Sequence, residues 1–199
     1  MLRNLWNHLA SLHRFGGREG VKAFWTYAMA VLVGSLWAMS AVTLPAISGS
    51  LAKVSEFARA HPDQATVSSG PGHYSVQVKG YHPELMPDFA PLLQAIGLIA
   101  AATVMLLAAA LVRRLHDSGR SGLWGLLPLP FLAAAFWLMP GLFQGLGGKG
   151  EPEMGPVLLL LANNAAYLLS LGVLIYLTIK PGDAGANAFG APPRDPGQL

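Results

Sequence analysis

The sequence predicts an all-α, polytopic membrane protein: four transmembrane helices in a bundle, with an N-terminal amphipathic interfacial helix and one longer outer loop that holds a possible short strand. Three observations carry this reading. Hydrophobic residues make up 53% of the 199 residues and charged ones 12%, about half the ~25% usual in soluble domains. Four stretches, 23–52, 89–112, 121–148 and 154–179, contain no charged residue, and each exceeds the ~20 residues that cross a ~30 Å hydrocarbon core. The lysines and arginines also cluster in alternate connections. With the N-terminus inside, nine lie inside (Arg3, Arg14, Arg18, Lys22, Arg113, Arg114, Arg120, Lys180, Arg194) and four outside (Lys53, Arg59, Lys79, Lys149). Both termini are therefore expected in the cytoplasm. The expected division is a single membrane domain over 1–193, with spans near 22–47, 90–114, 121–144 and 155–180. An outer loop at 48–89 and a tail at 194–199 complete it.

Residues 2–15 place Leu2, Leu5, Trp6, Leu9 and Leu12 at helical spacing, opposite Arg3, Asn4, His8 and Ser11. This predicts a short helix lying on the inner membrane surface. The first apolar stretch is too long for a signal-peptide core and follows a polar lead, so it is expected to stay as an anchor. In the outer loop, HYSVQVKGY alternates apolar and polar residues, as a strand or hairpin edge does. His61, His73 and His82 lie near Asp63, Glu84 and Asp88, but their spacing matches no metal-site pattern, and solvated histidines are expected. Span three carries Pro128, Pro130 and Pro140, which predict a kink or an irregular first turn. In span four, Asn163 and Asn164 are expected to bond to another helix. Small pairs such as Gly97 and Ala101 favour close helix approach.

No cysteine is present, which excludes disulfides, thiolate catalysis and cysteine-held metals. No cofactor, metal site or nucleic-acid partner is expected, and no acid–base pair stands out beyond the neighbouring His116 and Asp117. The chain is read as non-enzymatic. The absence of charge within the spans argues against a proton relay or ion pump.

The densest polar run is RRLHDSGRSG at 113–122. Asp117 lies within helical pairing range of Arg113 and Arg114, Gly119 can end span two in the left-handed conformation, and Ser121 can cap span three. Arg113, Arg114, Arg120 and the Ser121 cap form a candidate surface for an anionic group, most simply a lipid headgroup.

The same segment carries a resemblance. Gly17-Arg18 followed by Phe24-Trp25, the block from Arg113 to Trp124, and the Gly-rich run from Gly182 to Gly190 resemble three motifs of the small bacterial inner-membrane proteins grouped as domain of unknown function 805, the YhaH-like family. The chain departs from the family pattern at Val21 and Gly125. The resemblance implies a multi-pass protein of the bacterial inner membrane and no assigned activity. By the charge rule the three blocks share the cytoplasmic side. Arg18, Arg113, Arg114, His116, Asp117, Arg120, Ser121 and Asn187 are then expected to form one surface for anionic lipid or for a partner protein or second copy. Asn187 is the expected hydrogen-bonding partner of the arginine segment. The alternative reading is a small-solute transporter or channel component built on the proline-bent third span and Asn163–Asn164.

Overall fold

Membrane spans form where apolar runs are long enough to satisfy every backbone group internally, and the four charge-free stretches become four long helices. The computed structural model describes residues 2–80, 82–146 and 154–193. Helix α1 spans Leu2–Ala10, α2 Val21–Ala60, α3 Phe89–Asp117, α4 Leu129–Leu146 and α5 Met154–Ile179. A two-stranded sheet, β1 Ala65–Gly70 and β2 His73–Val78, lies between α2 and α3. The expected tail at 194–199 and Lys149 lie outside the described residues.

The helices pair as two hairpins, α2 with α3 and α4 with α5, and α3 links them. Very little of the spans is buried: Trp37, Trp137 and Leu169 are 75%, 81% and 73% exposed. Apolar surface on this scale needs lipid to cover it. Where α2 and α3 cross, Ser35 Oγ lies 2.6 Å from Thr103 Oγ1 and the Tyr27 hydroxyl donates to the Leu106 carbonyl at 2.9 Å. Gly97 of α3 faces the Phe136 ring of α4. Asn163 of α5 donates to the Phe131 carbonyl of α4 at 3.0 Å, the expected interhelical bond. Asn164 departs from that expectation: it stays exposed and makes no hydrogen bond among the described residues.

Two boundaries move. Helix α2 runs 40 residues, about 60 Å at 1.5 Å per residue, so it carries on past the hydrocarbon and takes up residues 48–60 of the expected outer loop. The rest of that loop is a hairpin in register Ala65↔Val78 to Gly70↔His73. Pro71 and Gly72 turn it, with Gly72 at φ 75°, the left-handed geometry that glycine adopts without strain. His61 and His82 are not simply solvated. Both rings pack on Phe57, and His82 Nδ1 lies 2.9 Å from Glu84 Oε1. Span three opens on a 3₁₀ turn, Gly122–Leu126, ahead of α4, the irregular start that Pro128 and Pro130 predict.

The buried core is small and lies at one end, where Phe24, Tyr27 and Ala28 of α2 meet Ala110 of α3. Replacing Tyr27 with Ala is expected to cost about 3–5 kcal/mol, as for a buried aromatic ring. Thermal unfolding in detergent measures it, and Thr26→Ala, at an exposed bond within α2, should change little.

Candidate functional site

All of the sequence-derived candidate residues lie at the end of the bundle where α2 begins, α3 ends, the 3₁₀ turn begins and α5 ends. Helix α3 stops there in a Schellman arrangement: Gly119 N–H donates to the His116 carbonyl and Arg120 N–H to the Leu115 carbonyl. Gly119 takes φ 68°, the left-handed stop this motif needs. The chain therefore reverses immediately after Asp117 and holds its carboxylate inside.

Asp117 is 3% exposed. One carboxylate oxygen accepts from Arg18 Nε at 3.0 Å and the other from Arg114 NH1 at 2.5 Å. Arg18 also donates to the carbonyls of Asp183 and Gly185, at 2.5 Å and 2.6 Å. Arg114 is fully buried; its Nε donates to the Thr178 carbonyl at 2.8 Å and its NH2 to the Lys180 carbonyl. These acceptors lie at the end of α5, where helix carbonyls lack intrahelical partners and the helix dipole is negative. One carboxylate and two guanidiniums thus tie the segment before α2, the end of α3, the end of α5 and the following tail.

A second carboxylate, absent from the sequence-derived set, sits beside it. Glu19 is 7% exposed; it pairs with Arg113 at 2.9 Å and its Oε1 lies 2.5 Å from His8 Nε2. The His8 ring stacks on Tyr27 at 4.3 Å. Arg113 therefore pairs with Glu19, and Asp117 takes Arg114 and Arg18. One signal was available: Glu19 is the only acid before Glu56, and two adjacent arginines cannot both be neutralised by Asp117. Helix α1 is shorter than the expected 2–15. It docks through His8 of its polar face while Trp6 and Leu9 stay exposed, as an interfacial helix would present them.

The tail closes the assembly. Asn187 Nδ2 donates to the His116 carbonyl at 3.0 Å and to Asp183 Oδ2 at 2.8 Å, while its Oδ1 accepts from Phe189 N–H. The Phe189 ring stacks on His116 at 3.8 Å. Glycines are required by contact here: a Cβ on Gly182 would run into the Asp117 carboxylate, and one on Gly122 would lie 2.7 Å from Val112. His116 is held by ring stacking on Phe189 and Asp117 by its ion pairs with Arg18 and Arg114.

Arg120 stands apart. Among the described residues its guanidinium makes one hydrogen bond, to the Ser118 carbonyl at 3.4 Å, and no carboxylate there forms an ion pair with it. It lies near Tyr176, over whose ring Lys180 Nζ sits 4.5 Å from the centroid. Ser121 Oγ caps Leu123 N–H at 3.3 Å and the Ser121 carbonyl takes Trp124 N–H. That removes free donors from the expected anion cradle at the start of span three.

The family model described as "Protein of unknown function (DUF805)" matches residues 12–191, a range that includes every part of this assembly except α1. The chain belongs to the DUF805 family. No curated protein and no solved structure matches it. The three blocks of the DUF805 resemblance are the three segments joined through Arg18, Asp117 and Asn187, and His8 contributes from outside the family match.

Asp117→Ala leaves two buried guanidiniums without a carboxylate, an expected loss of about 3–5 kcal/mol, seen as a fall in thermal midpoint and folded yield. Gly182→Ala should lower the midpoint as well, although it removes no interaction. Exposed Lys22→Ala serves as the neutral control.

Proposed function

We propose that this DUF805 protein is a non-enzymatic protein of the bacterial inner membrane whose cytoplasmic polar end binds anionic lipid headgroups. Nine of the thirteen lysines and arginines fall in the segments assigned inside, which supports the cytoplasmic placement of this end. The observation that carries the lipid reading is Arg120, the one arginine of the 113–122 block left without a carboxylate among the described residues. Lys180 and the exposed rings of Tyr176 and Trp124 lie on the adjoining helix end and turn, where aromatic and basic residues meet the headgroup layer. Arg18, Arg113 and Arg114 are turned inward onto the carboxylates of Glu19 and Asp117. They act as the frame rather than the receptor.

The transporter or channel alternative has less behind it. The cleft beside Asn163 and Asn164 is lined mostly by apolar side chains, not by a polar path.

Purification in native-lipid discs followed by lipid mass spectrometry tests the proposal. Arg120→Ala with Lys180→Ala is expected to lower co-purified phosphatidylglycerol and cardiolipin relative to phosphatidylethanolamine, by about fivefold per charge at ~1 kcal/mol each. An unchanged ratio in a folded double variant would rule the headgroup site out.

A further inference from the structure

A cleft of about 260 Å³ opens between α3, α4 and α5. Ile96, Phe136 and Met139 are typical of its walls, and among the described residues its polar side chains are Asn163, Asn164 and Tyr167. Asn164 lies ten residues after Met154 and fifteen before Ile179, about 15 Å and 22 Å from the ends of α5 at 1.5 Å per residue. That is the depth of the hydrocarbon. Asn163 spends its amide N–H on Phe131, but its Oδ1, the whole Asn164 amide and the Tyr167 hydroxyl make no hydrogen bond among the described residues. Polar groups left so in hydrocarbon are costly, and a ligand that bonds to them removes that cost.

We infer that this cleft binds a neutral, membrane-dissolved molecule that joins an apolar ring or chain to a carbonyl and a hydroxyl oxygen. The carbonyl suits the Asn164 N–H and Tyr167 O–H donors, and the hydroxyl suits the Asn163 and Asn164 oxygens. Among the described residues no acidic or basic side chain lines the cleft, so an ionised ligand would lose its hydration without compensation. The volume is just below the ~300–1,000 Å³ of pockets that enclose a drug-sized ligand. It accommodates one ring or a chain segment, with the remainder of the molecule lying in the bilayer. The inference is independent of the Arg120 headgroup site.

The test uses the full chain in phosphatidylcholine nanodiscs and 4-benzoylbenzyl alcohol, a neutral photoreactive aryl ketone that carries a hydroxyl. Irradiation and peptide mapping are expected to show saturable labelling at the α4 and α5 residues that line the cleft. Asn164→Leu, which removes no bond within the protein, should weaken half-saturation about fivefold, the effect of one lost hydrogen bond. Ala135→Phe should fill the cleft and abolish labelling, and the carboxylate analogue 4-benzoylbenzoate should not compete. Labelling that never saturates, or that is the same in Asn164→Leu, overturns the inference. So does efficient disulfide-linked dimerisation of Asn164→Cys in wild-type lipid, which would assign the amide to a second copy of the chain.

Discussion

Asp117 is the point at which the separate parts of the chain are made to agree. Its carboxylate is buried and shared between Arg18, which precedes α2, and Arg114, which lies on α3 and reaches the carbonyls at the end of α5. Lipid tails are as apolar as leucine, so the hydrophobic effect does little to hold transmembrane helices against one another. The spans of this protein accordingly show shallow packing, a few small-residue contacts and isolated hydrogen bonds such as Ser35–Thr103 and Asn163–Phe131. Directional, charge-assisted bonds at the bundle end supply the positional information that the apolar faces lack.

The same constraint explains the glycines. Gly119 must turn the chain at once after Asp117, and Gly182 must pass over its carboxylate with no side chain. The tail returns over His116 through Asn187 and Phe189. Motifs separated by dozens of residues are thus one structural unit, and their polar character is largely consumed in building it. What the unit leaves over is Arg120 at the polar end and Asn164 at mid-span, and these are the groups on which the two proposals rest.

Much of the architecture was legible because a bilayer imposes strong rules on composition. Runs without charge, set against the thickness of hydrocarbon, give the number of spans, and prolines at 128 and 130 mark the irregular opening of the third. The limits were less legible. Helix α2 continues to Ala60 because nothing in residues 48–60 breaks a helix once it leaves the lipid, whereas hydropathy reports only where the lipid-soluble portion ends.

The site divides along similar lines. By itself the sequence determined which segments share the polar end, that Gly119 stops α3, and that Asn187 serves the arginine block, since these follow from topology and local turn chemistry. Only the tertiary structure decided which acid meets which arginine. Helical spacing allowed Asp117 to pair with either Arg113 or Arg114, and the choice fell to Glu19, 94 residues away from Arg113, once the segment before α2 folded back against α3. Partnership between buried charges depends on distance in space and on exclusion of water, and neither is written in the spacing of residues along one helix.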